Sequence, residues 1–188
     1  PLLVLIGSSF NDGKFFRFPP QLLSWRWYEA AFMSAEYQRA LYNSTLLALI
    51  SAVISVGLGT MAALALVRSS IRHKLVFELL LLAPLALPLI VWAIALLQIY
   101  ARFGISGSLL GLVLAHATIT LPYTVRIMMA TLSQLDPNLE AAAKSLGAPP
   151  LVAFLRITLP MALPGVLVSA AFSFLVSFND VVVSTFIA

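Results

Sequence analysis

Near the end of the chain, Ser169, Ser173, Ser177, Asp180 and Ser184 follow one another at spacings of 4, 4, 3 and 4. On a helix turning about 100° per residue, the five side chains cover an arc of about 80°, a single polar stripe on an apolar rod. Hydroxyls and one carboxylate so arranged can replace water around a polar or cationic solute. An intramembrane carboxylate is a functional-site hypothesis by default, because placing a bare charge in hydrocarbon is so costly. The structural alternative is a carboxylate near the outer membrane surface, or one satisfied by a neighbouring helix. The candidate translocation path is therefore Asp180 with Ser169, Ser173, Ser177 and Ser184. Glu78, the other acidic residue in an apolar run, lies close enough to a cytoplasmic end to snorkel to the interface. His116, Thr120 and Tyr123 share a face of another apolar run. The 2 histidines of the chain are not spaced for a zinc site, and a structural histidine is the better reading.

These residues sit in a chain with 61% apolar and only 10% charged residues and a mean hydropathy of +1.02. Soluble domains carry about a quarter charged residues, so this composition indicates a membrane protein. The pI is near 9.8, but the net charge is only +4, and the scattered basic residues make no stripe for a phosphate backbone. No nucleic-acid partner is implied. With 0 cysteines there is neither a disulfide framework nor a thiolate metal site. No glycine-rich phosphate loop, nucleophile elbow or metal-ligand pair appears. The expectation is no enzyme, no cofactor and no metal, with any nucleotide hydrolysis carried out by another subunit.

Four complete spans are predicted, over residues 42–67, 75–101, 109–130 and 161–188, after a partial one over residues 1–10. Each complete span is long enough to cross a ~30 Å hydrocarbon core, and a bilayer forces it to be helical. The chain starts at Pro1 without a methionine and stops within VVVSTFIA, and it reads as a fragment cut at both ends. The turn Arg68-Ser-Ser-Ile-Arg-His-Lys74 packs Arg68, Arg72 and Lys74 together, which places it in the cytoplasm. Alternation then puts the 131–160 loop inside and the 11–41 loop outside. The outer loop also holds Lys14, Arg17, Arg26 and Arg39, so the asymmetry is one of charge density.

In the first complete span, Ser44, Ala48, Ser51, Ser55, Gly59 and Ala62 line one face with small residues, where another helix can approach closely. In the second, Pro88 removes a backbone hydrogen bond and clashes with the carbonyl of residue 84, so a kink is expected.

The segment EAAAKSLGAPPLVAFLRITLP, residues 140–160, is the most punctuated stretch of the chain. Asp136-Pro137 is a good helix start, an oxygen cap followed by proline at the first helical position. Glu140 and Lys144 suit the helix dipole and each other. Gly147 supplies a left-handed stop, and Pro149-Pro150 forbids continuation before a new helix begins. Alanine and leucine leave a small apolar face in water, which fits a docking element.

Gly147, nine residues, then Ile157-Thr158-Leu159-Pro160 resembles the cytoplasmic signature of bacterial binding-protein-dependent ABC importer permeases. That signature reads Glu-Ala-Ala, three residues, Gly, nine residues, Ile-x-Leu-Pro. The glycine-to-proline half fits fully. In the other half, Ala141 stands where the family has Glu, and Glu140 is one place early, rotated by about 100°. The ion pair that the family makes with its ATPase through that Glu does not carry straight over. The stretches FPPQLLSWRWYEAAF, LPYTVRIMMATL and SFNDVVVSTFIA are similar to the spermidine/putrescine permease branch.

The resemblance implies an all-α polytopic transmembrane bundle of the type I ABC importer permease kind, in the bacterial inner membrane. Against the family's six helices, this fragment would lack most of the first and all of the last. It implies one half of a permease pair with a homologous second permease. Two copies of a cytoplasmic ABC ATPase would dock on the loop through Glu140, Ala141, Ala142, Gly147, Ile157, Leu159 and Pro160. An extracytoplasmic binding protein would deliver the solute. The leading expectation is ATP-driven polyamine import. The alternatives are the same machine for another small solute, such as ferric ion or an oxyanion, and a passive channel or structural membrane subunit.

Overall fold

A computed structural model describes residues 2–13, 15, 18–20, 22–69 and 72–188. Lys14 and Arg17 of the outer-loop charges, Ser70 and Ile71 of the basic turn, and Pro1 lie outside the described residues. The chain forms two compact units, Pro1–Thr45 and Leu46–Ala188.

The first unit holds α1 (Leu2–Ser9), α2 (Arg26–Met33) and the start of α3 (Ala35–Arg68). Between α1 and α2, an isolated antiparallel bridge joins Asn11 to Leu23. Phe10, Trp25 and Tyr28 form an aromatic cluster, with centroids 5.0 to 5.5 Å apart. The Ser9 and Tyr28 hydroxyls meet at 2.6 Å. Helix α3 begins at Ala35, well before the expected span at Tyr42. The Ser34 hydroxyl accepts the Tyr37 N–H at 3.3 Å, and the residues that follow include good helix formers such as Ala35, Glu36 and Ala40.

In the second unit, the rest of α3 is followed by α4 (Lys74–Ala86), α5 (Leu89–Phe103) and α6 (Leu109–Ser133). The segment expected as a cytoplasmic loop holds α7 (Pro137–Ser145), α8 (Pro150–Ala153) and a π-helical turn, Phe154–Thr158. That turn runs directly into α9 (Leu159–Phe178), and α10 (Val182–Ile187) ends the chain. Helix α6 is central. The small face of α3 packs on it, with Ser51 donating to the Val113 carbonyl at 3.4 Å and Ser55 to that of Ala117 at 2.9 Å. A Cβ at Gly59 would lie 2.8 Å from Thr124 Cβ, so only glycine lets the two helices meet there. Ala63 rather than Ala62 completes the buried face. At one end of the unit Ala63, Met128, Leu132 and Ala162 pack together, and at another Ala93, Leu96, Tyr100, Ile119, Val183 and Ile187.

Among the described residues, three helices are long and apolar enough to cross a membrane: Ala35–Arg68, Leu109–Ser133 and Pro150–Phe178. Helices α4 and α5 make a fourth only if counted as one span, because they meet at 107°. The expected kink is thus a complete break. Leu87 precedes Pro88 and takes extended angles, φ −100 and ψ 143, as the proline ring disfavours the helical region for its predecessor. The last span also differs from residues 161–188. It starts at Pro150, because the signature segment is helical from there through the π-turn into α9, and it stops at Phe178. There Asn179 and Asp180 divert to bonding local backbone, Asn179 donating to the Leu175 carbonyl at 3.0 Å.

Candidate translocation and coupling sites

The break after Phe178 divides the polar stripe. Ser169, Ser173 and Ser177 lie on α9 and are buried, while Ser184 lies on α10. The expected single helical stripe is interrupted by that break, and Ser173 and Ser177 of α9 meet α6. The hydroxyls of Ser173 and Thr124 are 3.0 Å apart, and Ser177 Oγ is 2.8 Å from His116 Nδ1. Ser169 donates to the Val166 carbonyl of its own helix at 2.9 Å. Packing against α6 is the reason, since a small hydroxyl that finds a partner is the economical way to close two helices in lipid.

Asp180 caps α10. Its Oδ1 accepts the Val183 N–H at 3.3 Å and its Oδ2 that of Ser184 at 3.0 Å. His116 Nε2 stands 3.6 Å from Oδ2 and 3.1 Å from Ser184 Oγ, so one imidazole touches both sides of the break. The Asp180 side chain is only 2% exposed. A cavity of about 380 Å³ nevertheless reaches this corner, lined by Pro84, Leu87, Leu89, Tyr123, Asn179 and Asp180 among others. Both helix breaks in the unit, at Leu87-Pro88 and at Asn179-Asp180, open onto it. Thr124 was not among the residues the sequence singled out as partners of the stripe, although Thr120 and Thr124 continue the four-residue spacing from His116. Glu78 has a partner beyond snorkelling, Arg126 of α6 at 3.9 Å. Among the described residues no cluster of three or more His, Cys, Asp or Glu could hold a metal ion.

The candidate coupling segment folds locally for the reasons its residues suggest. Asp136 accepts the Asn138 N–H at 2.9 Å, Pro137 opens α7, and Gly147 takes φ +87 to end it. Ala141, Ala142 and Gly147 lie toward solvent, and Leu146 is 90% exposed, so α7 presents a small apolar face outward. Pro160 is exposed, and Ile157 and Leu159 are half-buried at the foot of α9. Glu140 does not belong to the outward set. It is buried, and its carboxylate is held by Arg68, by Thr158 Oγ1 at 2.6 Å and by Lys144 Nζ at 2.9 Å. These partners lower its pKa from 4.5 to about 2: the Thr158 hydrogen bond first, then Lys144, with Arg68 adding and burial opposing. Glu140 is thus engaged by neighbours within the chain, on a different side of α7 from Ala141. One step along a helix turns a side chain by about 100°, and that step carries Glu140 inward while Ala141 faces out.

The sequence profile of the binding-protein-dependent transport system inner membrane component family matches residues 31–188. The chain belongs to that family. It is 34% identical over 188 residues to the spermidine/putrescine transport system permease protein PotC of Haemophilus influenzae, covering 100% of this chain and 73% of that protein. It is 33% identical to PotC of Escherichia coli K12, covering 100% and 70%, and 30% identical to the putrescine transport system permease protein PotI of the same strain, covering 100% and 69%. The chain is thus an inner-membrane permease subunit of an ABC importer, a transport subunit and not an enzyme. In this permease the Gly147-to-Pro160 segment lies within the matched residues, and so do both helix breaks.

Proposed function

We propose that the permease imports polyamines, driven by ATP hydrolysis in a separate subunit. A binding protein on the outer side delivers the solute. A homologous second permease completes the path, and two copies of an ABC ATPase dock on the outward face of α7, on Ala141, Ala142 and Leu146. The observation that carries the solute class is the match of the whole chain to permeases named for spermidine and putrescine. The chemistry agrees with it. Asp180, at a cavity where two spans break, puts one negative charge where an ammonium group could pause. One carboxylate does not neutralise a whole polyamine, so Asp180 acts as a waypoint and capture belongs to the binding protein.

The test is uptake of radiolabelled putrescine and spermidine into cells lacking their own polyamine importers, with the permease expressed beside its partner subunits. Uptake that needs ATP and the binding protein supports the proposal. ATP-dependent uptake of a different small solute alone, with no polyamine accumulation, replaces the solute class and leaves the importer intact. Solute flux without ATPase or binding protein returns the passive-channel alternative.

A further inference from the structure

Glu140 is held by contacts from three elements, at the edge of a cavity that Arg68, Ala141 and Lys144 also line. Its Oε2 receives Arg68 from the end of α3 and the Thr158 hydroxyl from the π-helical turn below α9, at 2.6 Å. Its Oε1 receives Lys144 one turn along α7, at 2.9 Å. Arg68 Nη2 also donates to Thr158 Oγ1 at 3.1 Å, so Arg68, Glu140 and Thr158 close a triangle. Thr158 is buried, and its place at the end of the π-turn is what aims its hydroxyl at the carboxylate. By contrast, the covalent link from α7 to α8 runs through Gly147, which is exposed and has nothing within 4 Å of where a Cβ would stand. A glycine turn in open space transmits little force, whereas a charge-assisted triangle whose Glu140 and Thr158 corners are buried is stiffer.

We infer that Glu140 is a positioning residue for transport: it clasps the coupling helix to the cytoplasmic end of α3 and the foot of α9, so that the three move as one body. This rests on the reading of α7 as the ATPase dock. Motion imposed on α7 then reaches α9, and with it the seam against α6, through the Arg68–Glu140–Thr158 contact rather than through the Gly147 turn. Removing one partner leaves the others partly buried and unmatched, so the clasp fails as a unit.

Because the chain has no cysteine, spin labels at Ala65→Cys on α3 and Ser145→Cys on α7 read the clasp directly in the full importer complex. The unaltered clasp gives one narrow distance distribution by pulsed electron resonance. Glu140→Gln and Arg68→Met each broaden it, and the double variant broadens it no further. In the same complexes, ATP hydrolysis stimulated by the loaded binding protein falls about tenfold, while the ATPase still co-purifies. Thr158→Ser, which keeps the hydroxyl, stays close to the parent, and Thr158→Val follows Glu140→Gln. An unchanged distance distribution in Glu140→Gln overturns the inference. So does loss of the ATPase from Glu140→Gln with normal retention by Arg68→Met, which would make Glu140 a docking contact. If Gly147→Asp leaves uptake intact, the docking reading of α7 fails separately, while the label distances still report on the clasp.

Discussion

The hydroxyl of Thr124 on α6 lies 3.0 Å from that of Ser173 on α9, and both residues are fully buried. The pair is one rung of a polar seam between the two helices. Removing either hydroxyl leaves the other without this partner in an apolar setting. Ser173→Ala and Thr124→Val are each expected to cost about 1 kcal/mol, and the double variant less than their sum. Thermal unfolding of the detergent-solubilised importer checks the cycle. Strict additivity would mean that the two hydroxyls do not interact.

Close approach along α6 gives a sharper contrast. A Cβ at Gly165 would stand 2.8 Å from Thr131 Cβ, and one at Gly59 would stand 2.8 Å from Thr124 Cβ. At Gly57 a Cβ meets nothing within 4 Å. Gly59→Ala and Gly165→Ala should therefore lower the yield of folded permease and its melting temperature. Gly57→Ala should be neutral or slightly stabilising, since it replaces a flexible residue within a helix. Equal behaviour of all three would contradict this packing.

The Glu140 carboxyl carries a pH signature. Its pKa is lowered from 4.5 to about 2, so the folded state favours the ionised form. A depressed carboxylate contributes its stability fully above the unfolded value and loses it as pH falls through the folded one. The stabilisation of the parent over Glu140→Gln should thus be constant above about pH 5 and shrink between pH 4.5 and 2. Its size is about 3 kcal/mol at most, from the shift itself. Melting curves of both proteins across that range test the sign, and a gap that widened on acidification would reverse it.

Gly147 sits at φ +87 with open space around it, so substitution there strains the backbone without creating a clash. Asparagine tolerates left-handed angles better than aspartate's charge tolerates the negative end of α7. Gly147→Asp should abolish uptake while the permease remains in the membrane, and Gly147→Asn should retain a measurable fraction. Uptake assays paired with membrane immunoblots separate the two. Normal uptake by Gly147→Asp would remove α7 as the docking element.

Much of this arrangement is legible in the residues, for reasons local to each. Asp136, Pro137 and Gly147 act on their own backbone, so the start and stop of α7 follow from chemistry within a few positions. The small face of α3 follows from its spacing. The partners do not. Nothing near Glu140 in sequence points to Arg68 or Thr158, which are 72 and 18 residues away. The stripe on α9 reads equally well as a path or a seam, and its spacing does not reveal Thr124 and His116 opposite Ser173 and Ser177. The break at Asn179-Asp180 is a contest between an apolar run that favours helix and two side chains that favour capping. Composition weighs the run more heavily, yet the caps win.

Asp180 is where the two readings of the stripe can be separated. Its carboxylate oxygens accept the N–H groups of Val183 and Ser184, at 3.3 and 3.0 Å, and it lines the cavity at the two helix breaks. Asp180→Asn keeps one acceptor oxygen for the cap and removes the charge. Asp180→Ala removes both. If the charge serves a passing ammonium group, Asp180→Asn should slow polyamine uptake strongly, with normal yield and a bound ATPase. Asp180→Ala should also lose folded protein, because α10 is left uncapped. Ser173→Ala should cost uptake much less than either. Yield and uptake must be read on the same preparations. Full uptake by Asp180→Asn at normal yield would take the carboxylate off the pathway and leave it as the cap of α10. A collapsed yield in Asp180→Asn would show that the His116 side of the break needs the charge for folding.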